Sequence, residues 1–171
     1  MRIRRAFPED RALLNRLIER AYSTFMAPAY DPESLAAALP FLTKANLTLL
    51  KSGTYYVVED DTTGRLLGCG GWTRERPGTK DITSGVAHLR HFATEPAAAR
   101  NGVGRAIFRQ CAPAAESAGA QIFEACSSLN AEPFYRSLGL LPVARAELVL
   151  AKDVVLPVVI MRGPIPHAIG N

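Results

Sequence analysis

The sequence is poor in cysteine. Cys69, Cys111 and Cys126 are odd in number and widely spaced along the chain. This arrangement excludes a disulfide framework and lacks the spacing of zinc ligands, so no metal site is expected. Each cysteine lies among apolar residues, which predicts buried, reduced thiols in a cytoplasmic protein.

Long apolar runs and a strong excess of one charge are also missing. No segment approaches the roughly 20 apolar residues that a membrane span needs, which predicts no membrane association. The start, "MRIRRAFPEDRALL", carries charge but no apolar leader core, so we expect mature protein from residue 1. The formal charge is +4 without any Lys/Arg block, which argues against nucleic-acid binding. It would suit a small anionic ligand, or a solvated, slightly basic surface.

Apolar content is ample. Hydrophobic residues make up 48% of the 171 positions, enough for one packed core. There is no repeat, low-complexity tract or linker. We therefore predict a single domain over residues 1–163 and a loose tail over residues 164–171.

Periodicity and turn residues predict the order β-α-α-β-β-β-α-β-α-β-β. The expected strands cover residues 2–6, 55–59, 66–73, 86–94 and 121–127, followed by two strands linked near Lys152-Asp153. The expected helices run to about residue 24 and over residues 33–39, 102–118 and 132–138, with a short helical piece over 41–47. Residues 86–127 should form a right-handed parallel crossover, while the other strands pair antiparallel. The predicted fold is α/β, of the α+β type, with a mixed sheet and helices on both faces.

A glycine turn opens the long helix in "ATEPAAARNGVGRAIFRQCA", residues 93–112. Free N–H groups at a helix start attract anions, and glycine lets an anion approach the backbone. A Rossmann fingerprint fails because Ile107 stands where a third Gly or Ala is needed, and no Walker A sequence is present. An anion site and a plain strand-to-helix turn both remain open from the residues alone.

In its context, this segment resembles the acetyl-CoA motif of the GNAT (Gcn5-related) N-acetyltransferases. The motif is [Gln/Arg]-x-x-Gly-x-[Gly/Ala], and the matching positions are Ala99, Arg100, Asn101, Gly102, Val103 and Gly104. Ala99 departs from the motif, although Arg100 beside it could supply a similar charge. Downstream, "AEPFYRSLGL" resembles a second family segment, with Ala131, Tyr135 and Gly139 in register. Ser128 stands where many relatives have Asn.

The resemblance implies the GNAT acyl-CoA N-acyltransferase fold with splayed central strands, and acetyl-CoA (coenzyme A) as the cofactor. The pantetheine arm would pair with the strand at Phe92, Ala93 and Thr94. The pyrophosphate would lie on the N–H groups of residues 99–104, with Arg100 and Arg105 adding charge. Ser128 would contact the pantetheine arm.

The implied reaction is attack of a neutral amine on a thioester. Tyr135 matches the family's general acid, and this role is favoured over that of a core tyrosine that only packs its ring. His88 is the candidate base, because an imidazole suits that task, but it is equally typical of a partly exposed strand histidine. Period-two alternation predicts that His88, Arg90, Phe92 and Thr94 share one strand face. Glu59 and Glu124 are weaker base candidates.

The acceptor pocket is expected near the first two helices, the second hairpin strand and the C-terminal strands. Its candidate residues are Phe25, Met26, Tyr30, Trp72, His88 and Arg90, which could equally be ordinary core. The "GCGG" before Trp72 should leave room beside the sheet. The predicted function is an N-acetyltransferase acting on a small-molecule or peptide amine. The alternatives are an acyl-CoA sensor or scaffold without turnover, and use of a different acyl donor. Family members are often dimers, so a homodimer is also an expectation.

Overall fold

A computed structural model describes residues 1–166, in which seven strands form one sheet. The strands are β1 (Arg2–Arg5), β2 (Tyr55–Glu59), β3 (Leu66–Thr73), β4 (Val86–Thr94), β5 (Ile122–Ser128), β6 (Leu141–Ala151) and β7 (Val154–Pro164). The helices are α1 (Arg11–Met26), α2 (Pro32–Leu42), α3 (Leu47–Lys51), α4 (Val103–Ser117) and α5 (Glu132–Ser137), with short 3₁₀ turns at Pro8–Asp10, Pro96–Ala98 and Leu129–Ala131.

The strand order is β1-β2-β3-β4-β5-β7-β6. The β4–β5 pair is parallel and each of the others is antiparallel. A parallel pair needs a long crossover, which α4 provides. The predicted mixed sheet is therefore confirmed, and the bounds of β2, β3 and β4 agree with those expected.

Apolar side chains pack on both faces of the sheet. One cluster lies beneath α4; it includes Ile107, and the Phe108 ring contacts Phe123 of β5. On the opposite face, α1 covers a second cluster that includes Val57 and Cys69. A third cluster places α2 against β7. Since both faces are covered, the backbone of the central strands is kept from water.

The second helical region differs from the prediction. α2 continues through Pro40, and residues 41–47 contain the end of α2 and a turn instead of a separate helix. The Asn46 side chain accepts hydrogen bonds from the N–H groups of Thr48 and Leu49 at 2.8 and 3.3 Å. This cap starts α3 later than expected.

Residues 164 and 165, expected to belong to a loose tail, are instead held against β5. Pro164 pairs with Ile122, and the N–H of Ile165 donates to the carbonyl of Gln121 at 2.9 Å. Ile165 is buried in the cluster beneath α4. The apolar side chain therefore fixes the end of β7. Residues 167–171 of the predicted tail lie outside the described residues.

Candidate active site

Strands β4 and β5 diverge part of the way along the sheet. Their pairing runs from Val86 and Ile122 to Leu89 and Ala125, and does not continue beyond that point. Two cavities, of about 440 Å³ and about 250 Å³, lie where the strands part. We refer to them as the larger and the smaller cavity. The larger extends to the start of α4, and the smaller extends to α2 and the C-terminal strands.

The two cavities share one wall. Six residues line both of them: Tyr22, Met26, Phe92, Ser128, Ala131 and Tyr135. A group in the larger cavity can therefore meet a group in the smaller one across these side chains. Two-part binding of this kind suits transfer of a group between two molecules.

A β-bulge at His91 changes the face of the sheet on which the following side chains of β4 lie. Cys69 pairs with Ala93 and Gly71 pairs with Arg90, so β4 has one more residue than β3 between these pairs. His91 takes φ of 49°, in the left-handed region. Leu89 packs beneath α4, and Phe92 packs against the same cluster. The extra residue therefore reverses the alternation.

The prediction that His88, Arg90, Phe92 and Thr94 share one face is consequently wrong. Pairing with Gly71 and Thr73 puts Arg90 and His88 on the face away from α4, whereas Phe92 lies towards α4. Simple period-two reasoning holds only while a strand stays regular.

The glycine turn before α4 has two separate causes. Gly102 adopts φ of 79° at the N-cap, a conformation that favours glycine. At Gly104, an added Cβ would lie 2.8 Å from the Phe134 ring. Gly104 therefore lets α5 pack against α4, while Gly102 makes the turn. No side chain caps α4, so its first N–H groups remain open to a ligand.

The larger cavity collects most of the residues predicted for the cofactor. They are Phe92, Ala93, Thr94, Ala99, Arg100, Gly102, Val103, Gly104, Arg105, Ser128 and Tyr135. Arg105 also donates to the carbonyl of Ser137 at 3.2 Å, which ties it to α5.

Part of the expected anion cradle is already used by the turn. The N–H of Ala99 donates to the carbonyl of Pro96 at 3.2 Å, and that of Asn101 donates to the carbonyl of Ala98 at 3.4 Å. Asn101 does not line the larger cavity. The N–H groups of Ala99 and Asn101 are therefore engaged within the turn, so an anion could not use every N–H group of residues 99–104.

Tyr135 lies at the junction of the two cavities. Its ring packs edge-on against Phe92 at 6.3 Å and against Phe134 at 5.1 Å between centroids. Burial raises the pKa of Tyr135. Its hydroxyl makes no hydrogen bond within residues 1–166. The phenol is therefore neutral near pH 7 and keeps its proton where the two cavities meet.

His88 lines neither cavity, so the structure does not support its place in the catalytic or acceptor set. It is buried on the paired half of β4, with Nδ1 3.4 Å from Oε1 of Glu124. Glu124 in turn accepts from Arg162 at 2.6 Å and lies 3.5 Å from Arg76. Burial lowers the pKa of His88, against the opposing effect of Glu124. His88 lies where β4 still pairs with β5, so its side chain does not reach either cavity.

The two weaker base candidates are also held in ion pairs. Glu124 belongs to the cluster around His88. Glu59 accepts from Arg2 and from Arg4, each at 2.6 Å, and these guanidinium groups lower its pKa. Neither carboxylate lines the larger or the smaller cavity.

The predicted acceptor residues divide between the cavities. Phe25 lines the larger one, Met26 lines both, and Tyr30 and Arg90 line the smaller one. The Tyr30 hydroxyl is fully engaged, because it donates to the carbonyl of Pro157 at 2.8 Å and accepts from the N–H of Leu129 at 2.9 Å. Tyr30 is therefore a structural wall of the smaller cavity.

Trp72 is a core residue and lines neither cavity. It packs beneath α4, and the space left by its neighbouring glycines is already filled. An added Cβ at Gly70 would lie 2.7 Å from the Phe92 ring, and one at Gly71 would lie 2.3 Å from the carbonyl oxygen of Thr54. The "GCGG" run therefore serves packing of the sheet, not entry of a ligand.

Sequence reasoning missed Tyr22 and misplaced Cys126. The Tyr22 hydroxyl donates to the carbonyl of Phe92 at 3.3 Å in the shared wall. Its signal was available, since Tyr22 continues the buried helical stripe of α1 after Ile18. Cys126 is exposed in the smaller cavity, not buried as expected, because β4 no longer covers β5 there.

His91 lines the smaller cavity. Its Nδ1 atom is buried without a hydrogen-bond partner. Burial, with a smaller contribution from the Arg90 charge, lowers the pKa of His91 to about 4. The imidazole is therefore neutral near pH 7.

Two kinds of feature are absent from residues 1–166. Within this part of the chain, no helix has the length and apolar character to cross a membrane. The same residues contain no group of three or more His, Cys, Asp or Glu side chains arranged to hold a metal ion.

Comparison with protein families gives one match. A model described as the acetyltransferase (GNAT) domain matches residues 51–139. This segment includes β4, the glycine turn, α4, β5 and α5, which together form most of the larger cavity. No curated protein matches the sequence.

Solved structures share the fold at low identity. A GCN5-related N-acetyltransferase from Rhodopseudomonas palustris has TM-score 0.75 and 16% identity, covering 95% of this chain and 94% of the other. PaiA N-acetyltransferase from Thermoplasma acidophilum, in complex with coenzyme A, has TM-score 0.69 and 14% identity, covering 95% and 98%. N-acetylglutamate synthase from Neisseria gonorrhoeae, with coenzyme A and N-acetyl-glutamate, has TM-score 0.62 and 16% identity, covering 97% and 35%.

Proposed function

Because the chain belongs to the GNAT acetyltransferase family, we propose that it transfers an acetyl group from acetyl-CoA to an amine. The observation that carries the proposal is the position of Tyr135 in the wall that joins the two cavities. In this proposal the larger cavity holds the acyl donor and the smaller cavity holds the amine. Complexes with coenzyme A among the structural relatives support the assignment of the donor.

The residues of the larger cavity fit coenzyme A. The uncapped start of α4 offers N–H groups to a pyrophosphate, and Arg100 and Arg105 add positive charge beside it. The splayed half of β4, at Phe92 to Thr94, offers an unpaired side towards β5 for an extended arm. Ser128 lies at the inner end, where both cavities meet.

When bound, acetyl-CoA supplies a thioester whose C–S bond breaks as the amine forms a C–N bond. Tyr135 would hold a proton on its hydroxyl at the junction of the two cavities and would donate it to the departing sulfur, so that a neutral thiol leaves; the phenolate would then regain a proton from solvent. A backbone N–H near Phe92 or Ala93 would stabilise the negative oxygen. The surrounding apolar wall excludes water, which strengthens both interactions.

The proton of the amine must leave through the smaller cavity. His88 is closed off from it, so we do not assign His88 that role. His91 lines the smaller cavity as a neutral imidazole, which makes it a hydrogen-bond acceptor for the amine or for a water beside it. With its low pKa it is a weak base, so the final proton acceptor in this proposal is solvent.

Thermal stability with and without nucleotide tests the donor site. Binding only to the folded state at 100 times Kd should stabilise it by about 2.7 kcal/mol. Acetyl-CoA and CoA should both raise Tm, and thiol release should follow addition of an amine. No stabilisation at millimolar concentration would overturn the donor assignment.

The same assay tests the competing functions. Stabilisation without thiol release from any amine would favour a binding module. Faster release from propionyl-CoA or succinyl-CoA than from acetyl-CoA would change the transferred group and keep the reaction class.

A further inference from the structure

The smaller cavity is largely apolar, and its described lining contains a few neutral polar side chains and one cation. Its walls include side chains from α2, β6 and β7: Leu42, Leu148, Leu150, Leu156 and Val158. Among the described residues that line it, Arg90 is the one with a formal charge near pH 7, since His91 is neutral. Within residues 1–166, no carboxylate lines this cavity. A volume of about 250 Å³ admits a compact group and not a long chain.

Arg90 is positioned and still has donors available. Its Nη1 donates to Oγ1 of Thr73 at 3.0 Å, and that hydroxyl donates to the carbonyl of Glu75 at 2.8 Å. Guanidinium has five N–H donors, and within residues 1–166 Arg90 makes this one hydrogen bond. The Glu75 carboxylate attracts Arg90 electrostatically, but the two side chains form no ion pair in the described part of the chain.

A partly buried guanidinium without an acidic partner needs an anion. Taking a charge out of water is unfavourable unless a hydrogen-bonded opposite charge replaces the water. Burial lowers the pKa of Arg90, which reflects that unfavourable environment. Guanidinium binds a carboxylate through two parallel hydrogen bonds, a geometry that an ammonium cannot provide.

We propose that the acceptor is an amine carrying a carboxylate on a compact apolar body, with Arg90 binding the carboxylate. An apolar amino acid has this chemistry. The inference rests on the proposed function and adds the substrate class. It also excludes polyamines, because a second ammonium group would meet Arg90 and find no acid in the lining.

Matched substrates test this on the unaltered protein. L-phenylalanine, L-phenylalaninamide and phenethylamine share one apolar body and differ in the carboxylate. With rates compared at equal concentrations of neutral amine, kcat/KM for phenylalanine should exceed that for either analogue by about tenfold or more, mainly through KM. Equal or higher kcat/KM for phenethylamine, or for spermidine, would overturn the inference.

Substitution of Arg90 gives a second test. Arg90→Gln should lower kcat/KM for phenylalanine by about 30-fold and leave phenethylamine within about threefold, because a charged hydrogen bond is lost only with the carboxylate. For phenylalanine, kcat/KM of Arg90→Lys should lie between that of the unaltered protein and that of Arg90→Gln. Arg74→Gln removes an exposed arginine next to Thr73 that lines neither cavity, and should change neither substrate. Equal losses for both substrates would contradict the role of Arg90.

A binding measurement separates this inference from the proposed function. N-acetyl-L-phenylalanine should raise the Tm of the CoA-saturated protein, and Arg90→Gln should abolish that rise while leaving the shift by CoA intact. If CoA does not raise the Tm of the unaltered protein, the proposed function is rejected. A retained CoA shift with no effect of N-acetyl-L-phenylalanine would reject only the substrate class.

Discussion

The two halves of β4 both pair with β3, but only the first half pairs with β5, and the two halves have different roles. From Val86 to Leu89 the strand pairs with β5 and closes a polar cluster around His88 and Glu124. From His91 to Thr94 it leaves β5 and forms the wall of both cavities. A single bulged residue separates the halves. The polar side chains of the paired half therefore have a structural role, whereas the side chains of the splayed half are accessible to ligands.

The largest effect should come from Tyr135, at the open half. Tyr135→Phe removes the proton donor but keeps the ring packing, so kcat should fall by about 100-fold with KM for acetyl-CoA changed by less than about threefold. Steady-state thiol release measures both constants. Tyr56→Phe, at a buried tyrosine that lines neither cavity, is the matched control and should leave both constants unchanged. Undiminished turnover in Tyr135→Phe would remove its assigned role.

Substitutions around the paired half of β4 should reduce stability and leave activity unchanged. Glu124→Ala leaves Arg162 and the buried His88 without their acid, which should lower the free energy of unfolding by about 2–3 kcal/mol; half-exposure of the arginine moderates the loss. Urea unfolding measures it. Glu132→Ala breaks ion pairs with the exposed side chains of Arg136 and Arg145 and should cost less than about 1 kcal/mol. A comparison of kcat per folded molecule should show no change in Glu124→Ala, and a tenfold loss would break the distinction between the halves.

The bulge between the halves should make stability depend on pH. The pKa of His91 is about 4 in the folded protein and near 6.5 when unfolded, so the unfolded chain binds more protons between these values. Its contribution to stability is complete above about pH 6.5 and is lost as the pH falls towards 4. Between pH 7.5 and 5, the folded state should lose about 2 kcal/mol through His91.

His91→Asn tests that assignment, because Asn tolerates the positive φ of the bulge. Urea midpoints of the variant should fall less than those of the unaltered protein over the same pH interval. His88 also has a lowered pKa, so a smaller dependence should remain. Identical pH dependence in both proteins would show that His91 does not contribute.

The smallest effect should come from the glycine turn. Gly102→Ala introduces a side chain at φ of 79°, which should reduce stability by about 1 kcal/mol and weaken the Tm shift by acetyl-CoA. Gly78→Ala meets a similar backbone, with φ of 88° and no neighbour within 4 Å, far from α4 in sequence. It should show the same stability loss with an unaltered shift by acetyl-CoA. Equal acetyl-CoA shifts in both variants would exclude Gly102 from the donor site.

Local sequence signals predicted most of the framework. Turn residues around β2 and β3, and Pro96 after β4, set strand ends that agree with the structure. The glycine turn and Tyr135 indicated the larger cavity because both depend on local motifs. Arg90 was named for the acceptor pocket from its place on the strand, and it does line the smaller cavity.

The errors arose where tertiary packing decides the outcome. Nothing in "HLRHFAT" marks an extra residue at His91, so His88 was assigned to a ligand face that it does not share with Phe92. Trp72 and its glycines indicated an opening that Phe92 and the β2 backbone fill. Pro40 stopped the predicted helix although α2 continues past it. In each case the outcome depends on packing against a neighbouring helix or strand, which local sequence does not indicate.

The wall shared by the two cavities has a consequence for engineering. Tyr22, Met26, Phe92 and Tyr135 limit both spaces at once, so enlarging one compartment changes the other. A longer acyl chain and a bulkier acceptor would compete for the same volume. Under the proposed function, donor selectivity and acceptor selectivity would therefore not be independent, and a substitution in the wall would alter both.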